Sequence, residues 1–157
     1  MIVACETGTV TDDEILTLLQ GGLPPCIKTL GGTLVEASRA EGRAVMTFRA
    51  VPEFCHSGTI VQGGFITGML DAAMSHALVV KSNLTVSVPT LELKVSFFAP
   101  GAPGLMRAEG HVVHMGRSIA FLEGSLFNED GRLVARASST NRLTPAKSRT
   151  EAPIFAA

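Results

Sequence analysis

The segment VQGGFITGMLDAAMSHALVV, residues 61–80, carries a single formal charge, the carboxylate of Asp71. The rest of the run has the length and apolarity of a buried helix, where a charge is costly unless a partner or a reaction uses it. The run opens with Gly63 and Gly64, which would leave backbone N–H groups bare at the helix N-terminus. The pattern is typical of a catalytic site, with Asp71 as general base or nucleophile and Gly63 donating to an oxyanion. The alternative is a structural Asp bonded to backbone or hydroxyl groups in the core.

The spacing of these two groups limits how they can work together. Gly63 and Asp71 are eight residues apart, which is about 12 Å along a helix axis. One helix therefore cannot bring both groups to one small carbonyl, whereas two antiparallel helices around a two-fold axis can. If Asp71 is catalytic with this oxyanion donor, we expect a dimer with two composite sites. Gln62, just before the glycines, could add a side-chain amide.

The elements that must position these groups follow from periodicity and turn chemistry. Residues 11–14 have a capping-box pattern, which predicts a short helix that ends at the glycines and prolines of 21–25. The long helix is predicted over 63–80. Strands are predicted at 33–38, 43–51, 90–98, 105–114, 117–127 and 133–143.

These elements indicate an α+β fold, with an antiparallel sheet of five to six strands wrapped around one long central helix. We expect an N-terminal helical segment at 1–22, a single domain at 23–144 and a loosely held tail at 145–157.

Strand alternation predicts which faces the polar residues take. In the strand 90–98, Thr90 should share the face of Glu92 and Lys94 and lie opposite Leu91 and Leu93. His111 and His114 are three residues apart in one strand and should point to opposite faces, which would make them poor metal co-ligands.

Composition excludes several classes of function. The chain has 157 residues, a net charge of −1 and no basic cluster, so nucleic-acid binding has no electrostatic basis. Asp71 would cost about 3 kcal/mol at the centre of a membrane span. The three cysteines form no CxxC pair and the N-terminus lacks a signal-peptide pattern, so we expect no zinc site and a cytoplasmic location. The GxGxxG, GxxxxGK(S/T) and HExxH motifs are absent, and we expect no cofactor and no other metal.

The stretch VQGGFITGMLDAA resembles the HGG-x6-D segment of the PaaI-like hotdog-fold acyl-CoA thioesterases. Residues 23–37, 90–104 and 116–140 are similar to the first-strand entry, the following strand and the closing hairpin of that family. The resemblance covers roughly residues 23–143. It implies a hotdog fold, in which an antiparallel sheet curls around one helix, and assembly as a homodimer or as a dimer of dimers, a homotetramer.

The resemblance also assigns roles to individual residues. Asp71 matches the carboxylate that activates water or attacks the thioester, and Gly63 matches the backbone donor of the oxyanion hole. Gln62 stands where many members have His, and Thr90 matches a Ser/Thr position that helps to hold the water.

Other residues are candidates for holding the coenzyme A part of the substrate. Gly64 lies beside the oxyanion donor. Because the phosphates of coenzyme A need cationic partners, Arg117 and its neighbour Ser118 are also candidates.

Two departures from the family pattern keep alternatives open. Gln62 cannot act as acid or base, and the Asn that the family often carries near residues 55–56 is missing. Hydrolysis of an acyl-CoA thioester is the lead hypothesis, and a non-catalytic dimer that binds an acyl- or aromatic-CoA is the alternative. An enoyl-CoA hydratase is disfavoured because Asp71 and His76 would diverge by about 140° around the helix.

Overall fold

The computed structural model describes residues 10–146, and the last eleven residues of the predicted tail lie outside them. The helices in this range are α1 (Asp12–Gly21), α2 (Pro25–Thr29) and α3 (Gly63–Lys81). The strands are β1 (Gly32–Ser38), β2 (Arg43–Ala50), β3 (Cys55–Ser57), β4 (Ile60–Val61), β5 (Val86–Ser87), β6 (Thr90–Phe97), β7 (Gly104–Met115), β8 (Ile119–Asn128), β9 (Leu133–Arg142) and β10 (Thr144–Pro145).

Six of these strands form one antiparallel sheet in the order β1-β2-β7-β8-β9-β6. The sheet curls around α3, which packs against β1, β2, β7, β8 and β9. This arrangement confirms the predicted α+β hotdog fold. Strand β6 lies at one end of the sheet and has only β9 as a neighbour, so its outer edge is open.

Helix α3 is the centre of the core because its side chains are apolar nearly all round. Its fully buried side chains include Met69, Leu70, Met74 and Leu78. By length and composition α3 could also cross a membrane, but in this fold its apolar side chains fill the interior of the sheet. The sheet leaves one side of the helix partly uncovered. We call this side the open stripe, and it consists of Gly64, Thr67, Gly68, Asp71, Ser75 and Val79.

A pair of glycines lets the helix approach the sheet closely. Gly110 of β7 and Gly124 of β8 lie opposite each other in the register of the two strands. A Cβ atom added to Gly110 would lie 2.3 Å from the Ala73 carbonyl oxygen and 2.6 Å from the Met74 backbone nitrogen. The backbone of α3 therefore occupies the space that a side chain at position 110 would need.

Two β-bulges change the faces that alternation predicts. In β6 the register shifts between Thr90 and Glu92, so Thr90 pairs with the buried Asn141 and turns towards α3. In β7 the register shifts between Val112 and His114, which brings His114 opposite Phe121.

The predictions for both strands were therefore wrong in one respect each. Thr90 does not share the face of Glu92 and Lys94. His111 and His114 lie on the same, exposed side of the sheet rather than on opposite sides. In each strand the reason is one extra residue, which inverts the alternation on one side of the bulge.

The N-terminal region shows both a confirmed and an unexpected element. Thr11 and Glu14 form the predicted capping box of α1, and Ile15 of that helix is fully buried where α1 packs on β1. Helix α2 begins at Pro25, in a segment predicted only to end the first helix. Pro favours the first position of a helix because its fixed φ suits that position and the missing N–H has no partner there.

Candidate active site

The N-terminus of α3 is held in place from three sides. The Gln62 N–H donates to the Phe54 carbonyl oxygen at 2.8 Å, and the Val61 N–H donates to the Gly101 carbonyl oxygen at 2.9 Å. The Phe54 and Phe65 rings stack with centroids 4.3 Å apart. These contacts fix the direction in which the first backbone N–H groups of the helix point.

Gln62 caps this helix with its own side chain. Its Oε1 accepts a hydrogen bond from the Gly64 N–H at 2.6 Å. Within the described part of the chain, nothing accepts a hydrogen bond from the Gly63 N–H. Of the two glycines, Gly63 is therefore the one with a donor available at the positive end of the helix dipole.

We expect Gln62→Ala to lower the free energy of unfolding by about 1 kcal/mol, because the Gly64 N–H loses its acceptor. Gln62→Ser should restore the stability, since Ser is a good N-cap residue. Urea unfolding at pH 7 measures both changes. Equal stability of Gln62→Ala and the wild type would refute the capping role, and an unchanged kcat in Gln62→Ser would limit Gln62 to that role.

Asp71 lies in the middle of the open stripe and is partly exposed. The Thr90 hydroxyl donates to its Oδ1 at 2.9 Å. Across residues 10–146 no donor contacts Oδ2, and no cationic side chain forms an ion pair with the carboxylate. One oxygen of Asp71 is thus held in place while the other is unbonded, as a base or nucleophile requires.

An apolar cavity of about 400 Å³ adjoins the Gly63 end of the helix. The Phe97 ring of β6 covers Gly63 so closely that a Cβ atom added there would lie 3.1 Å from it. The cavity is lined by Ile60, Val61, Gly63, Ile66, Phe97, Phe98, Ala99, Pro100 and Gly101. Strand β6 therefore contacts both parts of the site, Asp71 through Thr90 and Gly63 through Phe97.

Comparison with known proteins agrees with this geometry. The family model of the thioesterase superfamily matches residues 58–135. A putative esterase from Saccharolobus solfataricus is 31% identical over 97 residues, which are 62% of this chain and 69% of that protein. The chain belongs to the thioesterase superfamily. As a member of that superfamily it is a thioester hydrolase, and the predicted PaaI-like resemblance is confirmed.

A solved structure gives the same assignment. A putative thioesterase from Ralstonia eutropha, related to phenylacetic acid degradation, is 30% identical. The match covers 82% of this chain and 98% of that one, with a TM-score of 0.74. A hypothetical thioesterase from Streptococcus pneumoniae, solved with coenzyme A, has a TM-score of 0.65 at 22% identity over 74% of this chain and 88% of that one. The second likeness shows the fold alone.

His76 is buried in this thioesterase and is hydrogen-bonded to the backbone of its own helix rather than to Asp71. The residue is 9% exposed, and its Nδ1–H donates to the Ala72 carbonyl oxygen at 2.8 Å. Burial lowers the pKa of the imidazole below its ordinary value, although the bond to Ala72 acts in the opposite direction. A neutral, buried His76 does not supply the Asp–His pair that an enoyl-CoA hydratase would need.

Arg117 and Ser118 lie in the exposed turn between β7 and β8. The Leu143 N–H donates to the Ser118 carbonyl oxygen at 2.8 Å, so the turn is tied to the end of β9. Because β8 and β6 are separated only by β9, this turn lies about 10 Å from the start of β6 at ordinary strand spacing. Among residues 10–146, neither Arg117 nor Arg142 forms an ion pair, and Arg142 directly follows the Asn141 that pairs with Thr90. The coenzyme-binding role of Arg117 and Ser118 stays a prediction.

Sequence reasoning missed two buried polar residues of β9 behind Asp71. Ser139 is 5% exposed and Asn141 is 1% exposed. A signal was available, because alternation from the buried Ala135 and Ala137 places both residues on the inner face of the closing strand. Polar residues on an inward face need hydrogen-bond partners, and here the hydrogen bonds of Ser139 and Asn141 lead to Thr90.

Proposed function

We propose that this protein hydrolyses an acyl-CoA to a free acid and coenzyme A, with Asp71 as base or nucleophile and the Gly63 N–H as oxyanion donor across a dimer interface. The observation that carries the proposal is the Asp71 carboxylate. It lies on an otherwise apolar helix, with one oxygen held by Thr90 at 2.9 Å and the other unbonded. Membership of the thioesterase superfamily supplies the class of reaction.

The chemistry needs few groups because a thiolate leaves easily. Asp71 takes a proton from a water molecule that attacks the carbonyl carbon, or attacks that carbon itself to give an anhydride that water then opens. The oxygen of the tetrahedral intermediate is stabilised by the Gly63 N–H and the helix dipole. The C–S bond then breaks and coenzyme A leaves as the thiolate. No general acid is required, which is why Gln62 can stand where relatives carry His.

A second copy of the chain brings the two groups together. The open edge of β6 exposes unpaired backbone groups over eight residues, and its Leu91 and Phe97 are 59% and 51% exposed. Exposed strand edges pair readily with other strands. Antiparallel pairing of β6 with its own copy would set the Thr90 end of one strand beside the Phe97 end of the other. The two β6 strands would lie roughly 5 Å apart. Asp71 of one chain would then face Gly63 of the other.

The cavity and the relatives support an acyl-CoA as the substrate. The cavity beside Gly63 is lined by apolar side chains, which suits the acyl group of a thioester. The thioesterase from Streptococcus pneumoniae holds coenzyme A, which supports coenzyme A as the thiol part of the substrate. A cytoplasmic location, expected from the cysteine pattern, is part of this proposal.

The dimer is tested by mixing two inactive variants. Asp71→Asn removes the base. Gly63→Pro removes the oxyanion donor, and Pro suits the first position of the helix. The Gln62 backbone before it, with φ −64° and ψ 136°, is compatible with a following Pro. Heterodimers would contain one intact site, so subunit exchange should restore about a quarter of the wild-type thiol release.

Gly63→Ala is the matched control, because it keeps the N–H while meeting the Phe97 ring in the same way. It should retain more activity than Gly63→Pro. The assay measures thiol release from short, medium, long and aromatic acyl-CoAs. No recovery on mixing would disprove the composite site. Thermal stabilisation by acyl-CoA without thiol release would disprove hydrolysis and favour a binding protein.

A further inference from the structure

A chain of hydrogen bonds runs from the buried Ser139 and Asn141 of β9 to the partly exposed carboxylate of Asp71. Asn141 lies opposite Thr90 in the register of β9 and β6. Its Nδ2 donates to the Thr90 hydroxyl oxygen at 3.1 Å and to the Val88 carbonyl oxygen at 3.0 Å. The Ser139 hydroxyl donates to Asn141 Oδ1 at 2.8 Å. The chain ends at Asp71, where the Thr90 hydroxyl donates to Oδ1 at 2.9 Å.

The direction of every bond in this chain follows from one group, the carbonyl of Val88. A carbonyl oxygen only accepts hydrogen bonds, so the side of the Asn141 amide that faces Val88 must be its NH₂ group. The same NH₂ group faces Thr90, which therefore receives a hydrogen bond there. A hydroxyl has one proton to donate, and that proton is left to point at Asp71. The amide cannot flip without placing its oxygen against the oxygen of Val88.

We propose that Asn141 is a positioning residue of this thioesterase, which fixes the Thr90 hydroxyl as a permanent donor to Asp71. This inference rests on the proposed function, because Asn141 can position a reacting carboxylate only if Asp71 takes part in the reaction. Asp71 Oδ1 is then held against the sheet, and Oδ2 is the reacting oxygen. Thr90 has its proton committed to Asp71, so it can hold the nucleophilic water only by accepting a hydrogen bond from it.

The burial of Asn141 distinguishes this role from that of a surface polar residue. At 1% exposure, no solvent reaches its amide, and every donor and acceptor it uses belongs to β9 or to residues 88–90. The Asn141 amide is buried, and its NH₂ group and its oxygen are all hydrogen-bonded, so the amide is held rigidly. Rigid placement of a reacting group within a fraction of an ångström contributes strongly to rate. Asn141 therefore determines the orientation of a carboxylate that it does not touch.

The test is a double-mutant cycle between Asn141 and Thr90, read as kcat and KM for thiol release. Leu is similar in size to Asn, and Asn141→Leu removes both the NH₂ group and the oxygen of the side-chain amide. It should lower kcat by about 10- to 100-fold and change KM by less than about threefold. In a Thr90→Val background, Asn141→Leu should add less than about twofold, because the hydroxyl through which it acts is gone.

Two further variants make the result decisive. Asn141→Asp, also of similar size, replaces the NH₂ group by an oxygen and should lower kcat likewise if Asn141→Leu proves insoluble. Ser138→Ala, on the exposed face of the same strand, should keep the wild-type kcat. Two results would overturn the inference while Asp71→Asn stays inactive. One is a folded Asn141 variant with kcat within threefold of the wild type. The other is a double variant whose fold-loss in kcat equals the product of the losses of the Asn141 variant and Thr90→Val. Activity that survives in Asp71→Asn would instead overturn the proposed function.

Discussion

Asp71→Asn should lower kcat for acyl-CoA hydrolysis by about 10²- to 10⁴-fold, the range that a positioned general base contributes. The amide is nearly the same size as the carboxylate, and its oxygen can still accept the hydrogen bond from Thr90. It cannot take a proton from water or form the anhydride. The loss should therefore fall on kcat, while the free energy of unfolding and the elution volume on gel filtration stay close to those of the wild type.

Ser75→Ala is the matched control for this variant. Ser75 lies on the open stripe one helical turn after Asp71, so it shares the same surroundings without sharing the site. Its replacement should leave kcat within about twofold of the wild type. A folded Asp71→Asn protein that hydrolyses every acyl-CoA at the wild-type rate would remove Asp71 from the mechanism.

Gly110→Ala should lower the free energy of unfolding by about 3 kcal/mol or more, a large part of the 5–15 kcal/mol that a domain possesses. The new Cβ would lie 2.3 Å from the Ala73 carbonyl oxygen and 2.5 Å from its carbonyl carbon. These atoms belong to the backbone of α3 and cannot rotate away. Either the helix lifts off the sheet or β7 bends, and both changes break contacts of the core. Urea unfolding measures the change as a lower midpoint.

Gly124→Ala, on the neighbouring strand, is the comparison variant, because its new Cβ would clash with a side chain rather than with the backbone of α3. Its Cβ would meet the Met74 side chain, with Cγ at 3.0 Å and Sδ at 3.2 Å. Methionine adapts to new neighbours more easily than a helix backbone does, so the loss should be about 1 kcal/mol. An insoluble Gly110→Ala beside a soluble Gly124→Ala would agree with this account. Equal stabilities of the two variants would contradict it.

The parts of the fold that follow from periodicity were predictable. Alternation of apolar and polar residues located β2 and β6, and the turn residues between strands located β7, β8 and β9, each to within one or two residues. The apolar run located α3. An all-round apolar helix needs a sheet to enclose it, so a sheet wrapped around one helix followed from the elements, and the resemblance to relatives implied that this was a hotdog fold. Asp71 was conspicuous because it is the single charge in that run.

The parts that depend on register were not predictable from alternation. The bulge after Thr90 inserts one residue into β6, and no residue type in that stretch marks it. Alternation therefore placed Thr90 on the wrong face, although the resemblance to relatives placed it in the site. The bulge at Val113 misled the prediction for His111 and His114 in the same way. A single-sequence pattern reports the period of a strand but not the point at which the period slips.

Contacts between distant elements were also beyond the sequence. Gly110 looks like any glycine in a strand until α3 is seen crossing over it. Asn141 is one polar residue in a polar stretch, and its importance comes from Thr90 and Val88, which lie about fifty residues earlier in the chain. Its inward position was a hint, but its partners could be named only once β6 and β9 were seen side by side.

The strand order has a consequence for the moment at which the site appears during synthesis. Strand β6 leaves the ribosome before β7 and β8, yet its neighbour in the sheet is β9. Until Asn141 has emerged, Asp71 and Thr90 have been synthesised but β6 has no partner strand to hold it in the sheet. A chain that stops before Asn141 therefore lacks the residue that positions Thr90 against Asp71. Long-range pairings of this kind are intrinsically slow to form. Turnover by this thioesterase would therefore serve as a reporter that the sheet has closed to its last strand.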